Sequence, residues 1–175
     1  MARLRKMLGS ADSPYILSLM RLIETQSNQT IADWCVSYAK ENIIPIFEKA
    51  YPEDRCLKEL LETFEKYRNR EIELAGLKKV VASGNQAVKT MEQTPAAQAA
   101  AKAVIQAVAS IYTPTHSLGL AFYGAAAIAY DRAGLTEKPE VFDAIAAEEC
   151  KKMELALKAI SVPNEKNPAK INWYC

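Results

Sequence analysis

The chain has little of what marks the commoner enzyme and cofactor sites. Its 175 residues include one histidine, His116, and six scattered glycines. One histidine cannot supply the repeated Glu-x-x-His of a di-iron bundle, and no glycine-rich loop is present to cradle a phosphate. The four cysteines, Cys35, Cys56, Cys150 and Cys175, form no CxxC pair. That spacing argues against zinc and reads as free thiols of a reducing compartment. No metal or cofactor is therefore expected. An excess of one charge is missing too, with 22 basic against 21 acidic side chains. Proteins that neutralise phosphates usually show a clear basic surplus, so nucleic acid is not an expected partner. The one basic cluster, Arg3, Arg5 and Lys6, reads as a solvated or frayed terminus. The longest apolar run, residues 118–130, falls short of the roughly 20 residues that cross a bilayer. The start "MLGSADSP" lacks a signal peptide's apolar stretch. The reading is a cytosolic protein with no membrane partner. No segment alternates at period two, which leaves no strand to propose.

What remains is helix. Half the residues are hydrophobic, and alanine is abundant. Tyr15, Ile16, Leu19, Met20 and Ile23 make a first stripe opening at Pro14. Thr30 should cap a second, from Ile31, Trp34, Cys35, Tyr38, Ala39 and Asn42 to Ile46 and Phe47. Leu57, Leu60, Leu61 and Phe64 mark a third, and Leu74, Leu77, Val81, Gly84, Val88 and Met91 a fourth. Thr94 as cap and Pro95 behind it open a fifth, running to about Tyr112. The sixth, "TPTHSLGLAFYGAAAIAYDRAG", is apolar on all sides and should be the buried centre, ending at a left-handed Gly134. Phe142, Ile145, Ala146, Met153, Ala156, Leu157 and Ile160 carry a seventh. The tail "SVPNEKNPAKINWYC" is irregular, but Ile171, Trp173 and Tyr174 suggest that it docks. The expectation is an all-α single domain over 1–175, a bundle of about seven helices or a solenoid-like stack of them.

Pro45 interrupts the second stripe. It cannot donate to the carbonyl of Glu41, so the helix must kink or break there. The segment around it, "AKENIIPIFEKAYPEDRCLKELLETFEKY", resembles a helical family of bacterial immunity proteins found with polymorphic toxins. Pro45, Phe47, Glu48, Tyr51, Pro52, Asp54 and Arg55 stand in that family's pattern, followed by Leu57 and Leu60. "AVASIYTPTHSLGLAFYGAAAIAY" is similar to its alanine-rich helix pair, in which His116, Leu118, Gly119, Tyr123 and Ala126 keep the character. The likeness covers roughly 31–134, with a helix and docking tail at 138–175 outside it. It implies a non-enzymatic protein that neutralises a cognate toxin by occluding its active site.

The residues themselves offer few chemical candidates. His116 lies among Thr113, Thr115 and Ser117 at a helix start, with no nucleophile signature nearby, and a capping or packing role fits it best. Glu148 and Glu149, ahead of Lys151 and Lys152, read as a solvated face with local ion pairs. Trp34, Tyr38, Tyr112, Tyr123 and Tyr130 read first as core aromatics. Trp34, Tyr38, His116, Tyr123 and Tyr130 are the candidates for a pocket or interface patch. A ligand-binding protein or small enzyme using His116 and Tyr123 is the alternative to the immunity reading.

Overall fold

A computed structural model describes residues 4–174, which leaves Arg3 and Cys175 outside the described residues. The chain forms α1 (Pro14–Ile23), α2 (Asn28–Asn42), α3 (Ile44–Ala50), α4 (Cys56–Arg68), α5 (Leu74–Val88) and α6 (Pro95–Ala109). A 3-10 turn at Pro114–His116 leads into α7 (Ser117–Ala133), and α8 spans Pro139–Ile160. No strand occurs among the described residues. Eight α-helices appear where the stripes predict about seven because Pro45 splits the second. α2 stops at Asn42, and Pro45 stands in the first turn of α3, where its missing N–H costs nothing.

Two helix caps differ from the sequence reading, and α5 and α6 stop at Val88 and Ala109, short of Met91 and Tyr112. Ser27, not Thr30, caps α2: its hydroxyl accepts the Thr30 N–H at 3.2 Å. Thr94 does not cap α6 with its side chain, which shares a 2.7 Å hydrogen bond with the Tyr51 hydroxyl instead. Gly134 closes α7 at φ 78°, ψ −168°, backbone that only glycine enters freely.

α6 and α7 form an antiparallel pair at the centre: Gly119 faces Gln106, and Tyr123 faces Lys102. Buried alanines line both helices, among them Ala97, Ala100 and Ala101 opposite Ala121, Ala125 and Ala126. Short side chains let the two backbones come close. α2, α3, α4 and α5 pack on α6, while α8, α2 and α3 pack on α7, and α1 lies on α8. This is a bundle around a central pair. In a solenoid each repeat touches only its neighbours, which is not the pattern here. The centre expected in α7 alone is shared with α6, whose buried residues outnumber its exposed ones. One hydrophobic core draws on all eight helices.

The tail docks on the α1–α2 turn. Buried Gln26 accepts the Val162 N–H at 2.7 Å and donates to the Val162 carbonyl at 3.2 Å. Its own carbonyl accepts the Ala169 N–H at 2.8 Å, and the Trp173 indole donates to Glu24. Ile171 and Trp173 are half-buried, but Tyr174 points into solvent.

Candidate functional site

The five candidate aromatic and imidazole residues fall into three places. Trp34 and Tyr38, one turn apart on α2, both face α8. Trp34 is buried and donates its indole N–H to the Met153 carbonyl at 2.9 Å. Tyr38 is buried and donates to the Glu149 carboxylate at 3.4 Å. Burial first, then the Glu149 charge, push the Tyr38 phenol above its ordinary range. Tyr123 and Tyr130 lie two turns apart on α7 and line one cleft. The Tyr130 hydroxyl donates to the Arg5 carbonyl, and its ring meets Phe142 edge-on at 5.0 Å. His116 stands apart at the foot of α7 and does not line that cleft. Its Nδ1 is buried without a partner among the described residues, and burial holds its imidazole below the ordinary range.

Glu149 is the residue that sequence reading misplaced. Glu148 is exposed and pairs with Lys152 at 2.9 Å, as a solvated face should. The Lys152 hydrogen bond holds its carboxyl below the usual range. Glu149, next in the chain, is only 3% exposed. A buried carboxylate is costly unless donors surround it. Here Arg132 donates at 2.6 Å and Lys152 at 3.0 Å, with Tyr38 as third partner. The hydrogen bond to Glu149 is also the main reason that the Arg132 guanidinium sits above its ordinary range. This cluster walls a cleft of about 390 Å³ beside Pro45, with Lys49 and Asp131 paired at 2.7 Å on its rim. The Glu-Glu-x-Lys spacing does not distinguish the two glutamates, but the stripe does: Glu149 lies three residues after Ala146 and four before Met153, on the face that α8 turns inward.

The cleft under Tyr123 and Tyr130 holds about 340 Å³. Arg5, Lys6, Lys89 and Lys102 line it, with Glu92 as the one acidic residue. The Lys102 ammonium lies 5.3 Å from the Tyr123 ring centroid, within range of a cation–π contact. These cations come from distant parts of the chain, so no local motif announces them. Arg5 and Lys6, read from the sequence as part of a solvated or frayed end, are exposed, but the segment that carries them is held to α7: buried Leu8 donates its N–H to the Phe122 carbonyl at 3.2 Å, and Tyr130 donates to the Arg5 carbonyl.

The residues of the quoted Pro-Phe-Glu motif build a joint between α3 and α4. Phe47 is buried and stacks on Tyr51 at 5.2 Å, Glu48 pairs with Lys58 at 3.0 Å, and Leu57 and Leu60 enter the core. Cys35 and Cys150 are buried free thiols and Cys56 is a half-buried one. Among the described residues no cluster of His, Cys, Asp and Glu is arranged to hold a metal, and no helix is long and apolar enough to cross a membrane.

No curated protein and no solved structure matches the chain. A family model does match residues 21–156, from the last turn of α1 through most of α8. That span extends beyond the stretch 31–134 on which the sequence resemblance rests, and it takes in both the α3–α4 joint and the central helix pair. The chain belongs to the family described as Imm-5 like putative immunity protein.

Proposed function

We propose that the protein is a non-catalytic immunity protein that binds one cognate bacterial toxin in the cytosol and covers its active site. The observation that carries this reading is the family match over residues 21–156. The architecture supports it. A helical body with one shared core offers a preformed surface, and a rigid surface loses little conformational entropy on binding.

Co-expression tests the proposal. The protein should rescue cells from one toxin encoded nearby and from few others, in proportion to the amount of protein made. The purified pair should bury on the order of 1,200–2,000 Å². Rescue at far less than one protein per toxin would instead indicate an enzyme. A metabolite that raises the melting temperature, with no toxin bound, would indicate a ligand-binding protein.

A further inference from the structure

The cleft under Tyr123 concentrates positive charge that the rest of the molecule does not have. Four cations face one carboxylate there, in a chain whose formal net charge is +1. The remaining surface is therefore acidic on balance. Some cations elsewhere are held in internal pairs, Lys40 with Glu65, Lys49 with Asp131, Lys58 with Glu48 and Lys158 with Glu154, while the unpaired ones are spread along the chain and not gathered in one cleft. In the cleft only Arg5 is paired, with Asp143 at 2.6 Å. Lys6, Lys89 and Lys102 have no carboxylate partner among the described residues. Positive charges that outnumber the one carboxylate, Glu92, raise the local potential, and a concave wall focuses it. One face of α6, from Pro95 to Lys102, walls the same cleft.

We propose that this cleft is the docking site for an acidic segment of the partner protein. The proposal rests on the immunity reading for the partner's identity, but not for its chemistry. The lining mixes charge with the Tyr123 ring, Pro95 and Ala99. That combination suits carboxylate side chains carried on an apolar stem better than a bare inorganic anion. Tyrosine and arginine are also the side chains that most often anchor a protein interface. Docking of this kind steers encounter through charge, so its rate falls with added salt.

A short labelled peptide rich in glutamate and leucine serves as the probe, with a lysine–leucine peptide and inorganic triphosphate as comparisons. The wild-type protein should bind the acidic peptide and ignore the basic one, and binding should weaken as salt rises. The double variant Lys89→Glu with Lys102→Glu should lose on the order of tenfold or more in affinity. Lys66→Glu with Lys170→Glu, exposed lysines outside the cleft, should leave it unchanged. Circular dichroism of each variant establishes that the fold is kept. Equal binding by both double variants overturns the proposal, as does triphosphate binding more tightly than the peptide, which would make the cleft a small-anion site. Toxin rescue then separates the two readings. If the cleft variant still protects fully, the cleft is not the docking site, while the immunity function stands. If the wild type protects against no toxin yet binds the acidic peptide through these lysines, the immunity function fails and the acidic-segment site stands.

Discussion

Gly119 lies where α6 and α7 come closest. A Cβ added there would sit 2.5 Å from Gln106 Cγ and 2.6 Å from its Cβ. A new rotamer can move the first atom but not the second, which the α6 backbone fixes. Gly119→Ala should therefore push the helices apart and destabilise by about 1–3 kcal/mol, the usual cost of overpacking. Gly76 in α5 is the contrast, since its nearest neighbour is an Ile72 carbon at 3.7 Å, ordinary contact. Gly76→Ala should stabilise by roughly 0.5–1 kcal/mol through helix propensity. Urea melts of the two variants check this, and shifts of the same sign would refute the packing argument. Glycine at 119 is plain in the sequence. That it is the contact point is not, because the partner is set by how α6 and α7 align.

Among the elements, the tail is held by one buried side chain. The Gln26 side chain makes two hydrogen bonds to Val162 and one to Thr25, and its backbone carbonyl holds Ala169. Gln26→Ala removes the two bonds to Val162 and should cost about 1–2 kcal/mol. The loss should be local. Hydrogen exchange should speed up at Val162 and beyond it, while amides of α6 and α7 stay protected. Uniform loosening of the whole chain would show that the tail belongs to the cooperative core. Docking of the tail is legible from Ile171 and Trp173, apolar residues in an otherwise polar stretch. The role of Gln26 is not legible, because "ETQSNQT" reads as an ordinary polar turn. The break at Pro45 is the reverse case. Its physics is local, since a missing N–H and a crowding ring act within one turn, and the sequence shows it directly.

At the scale of the whole molecule, burial of ionisable groups should make stability depend on alkaline pH. Cys35 and Cys150 are buried, and burial raises both thiols above their ordinary value of 9.0, Cys150 to about 12. Cys56 is likewise raised to about 12, chiefly by burial and then by Asp54, and Tyr38 is raised above its ordinary 10.0. Each is an acid that ionises more easily in the unfolded chain. Its contribution to stability is whole below the unfolded value and is lost as pH rises through the folded one. The urea midpoint should hold steady near neutrality and fall as pH climbs from about 9 toward 12. Cys35→Ala with Cys150→Ala should lower the midpoint at neutral pH through lost packing, yet flatten the alkaline decline. An unchanged decline in that variant would mean that other groups cause it.

Helix type, approximate number and core faces are determined by the sequence itself. They follow from spacing, capping residues and proline, whose effects reach no further than one or two turns. The aromatic candidates show the limit of that reach. Trp34, Tyr38 and Tyr130 are recognisable as buried, yet their partners Met153, Glu149 and Arg5 lie far along the chain. Glu149 falls on the inward stripe of α8, but the partners that let it stay charged there, Arg132 and Tyr38, come from α7 and α2 and are brought to it by the fold. The basic cleft is decided only by tertiary structure, because Arg5, Lys89 and Lys102 meet when the chain's start crosses α7 beside the α5–α6 turn. Near-neutral composition hid it: net charge sums over the chain, whereas the potential at a surface depends on where the fold gathers each sign.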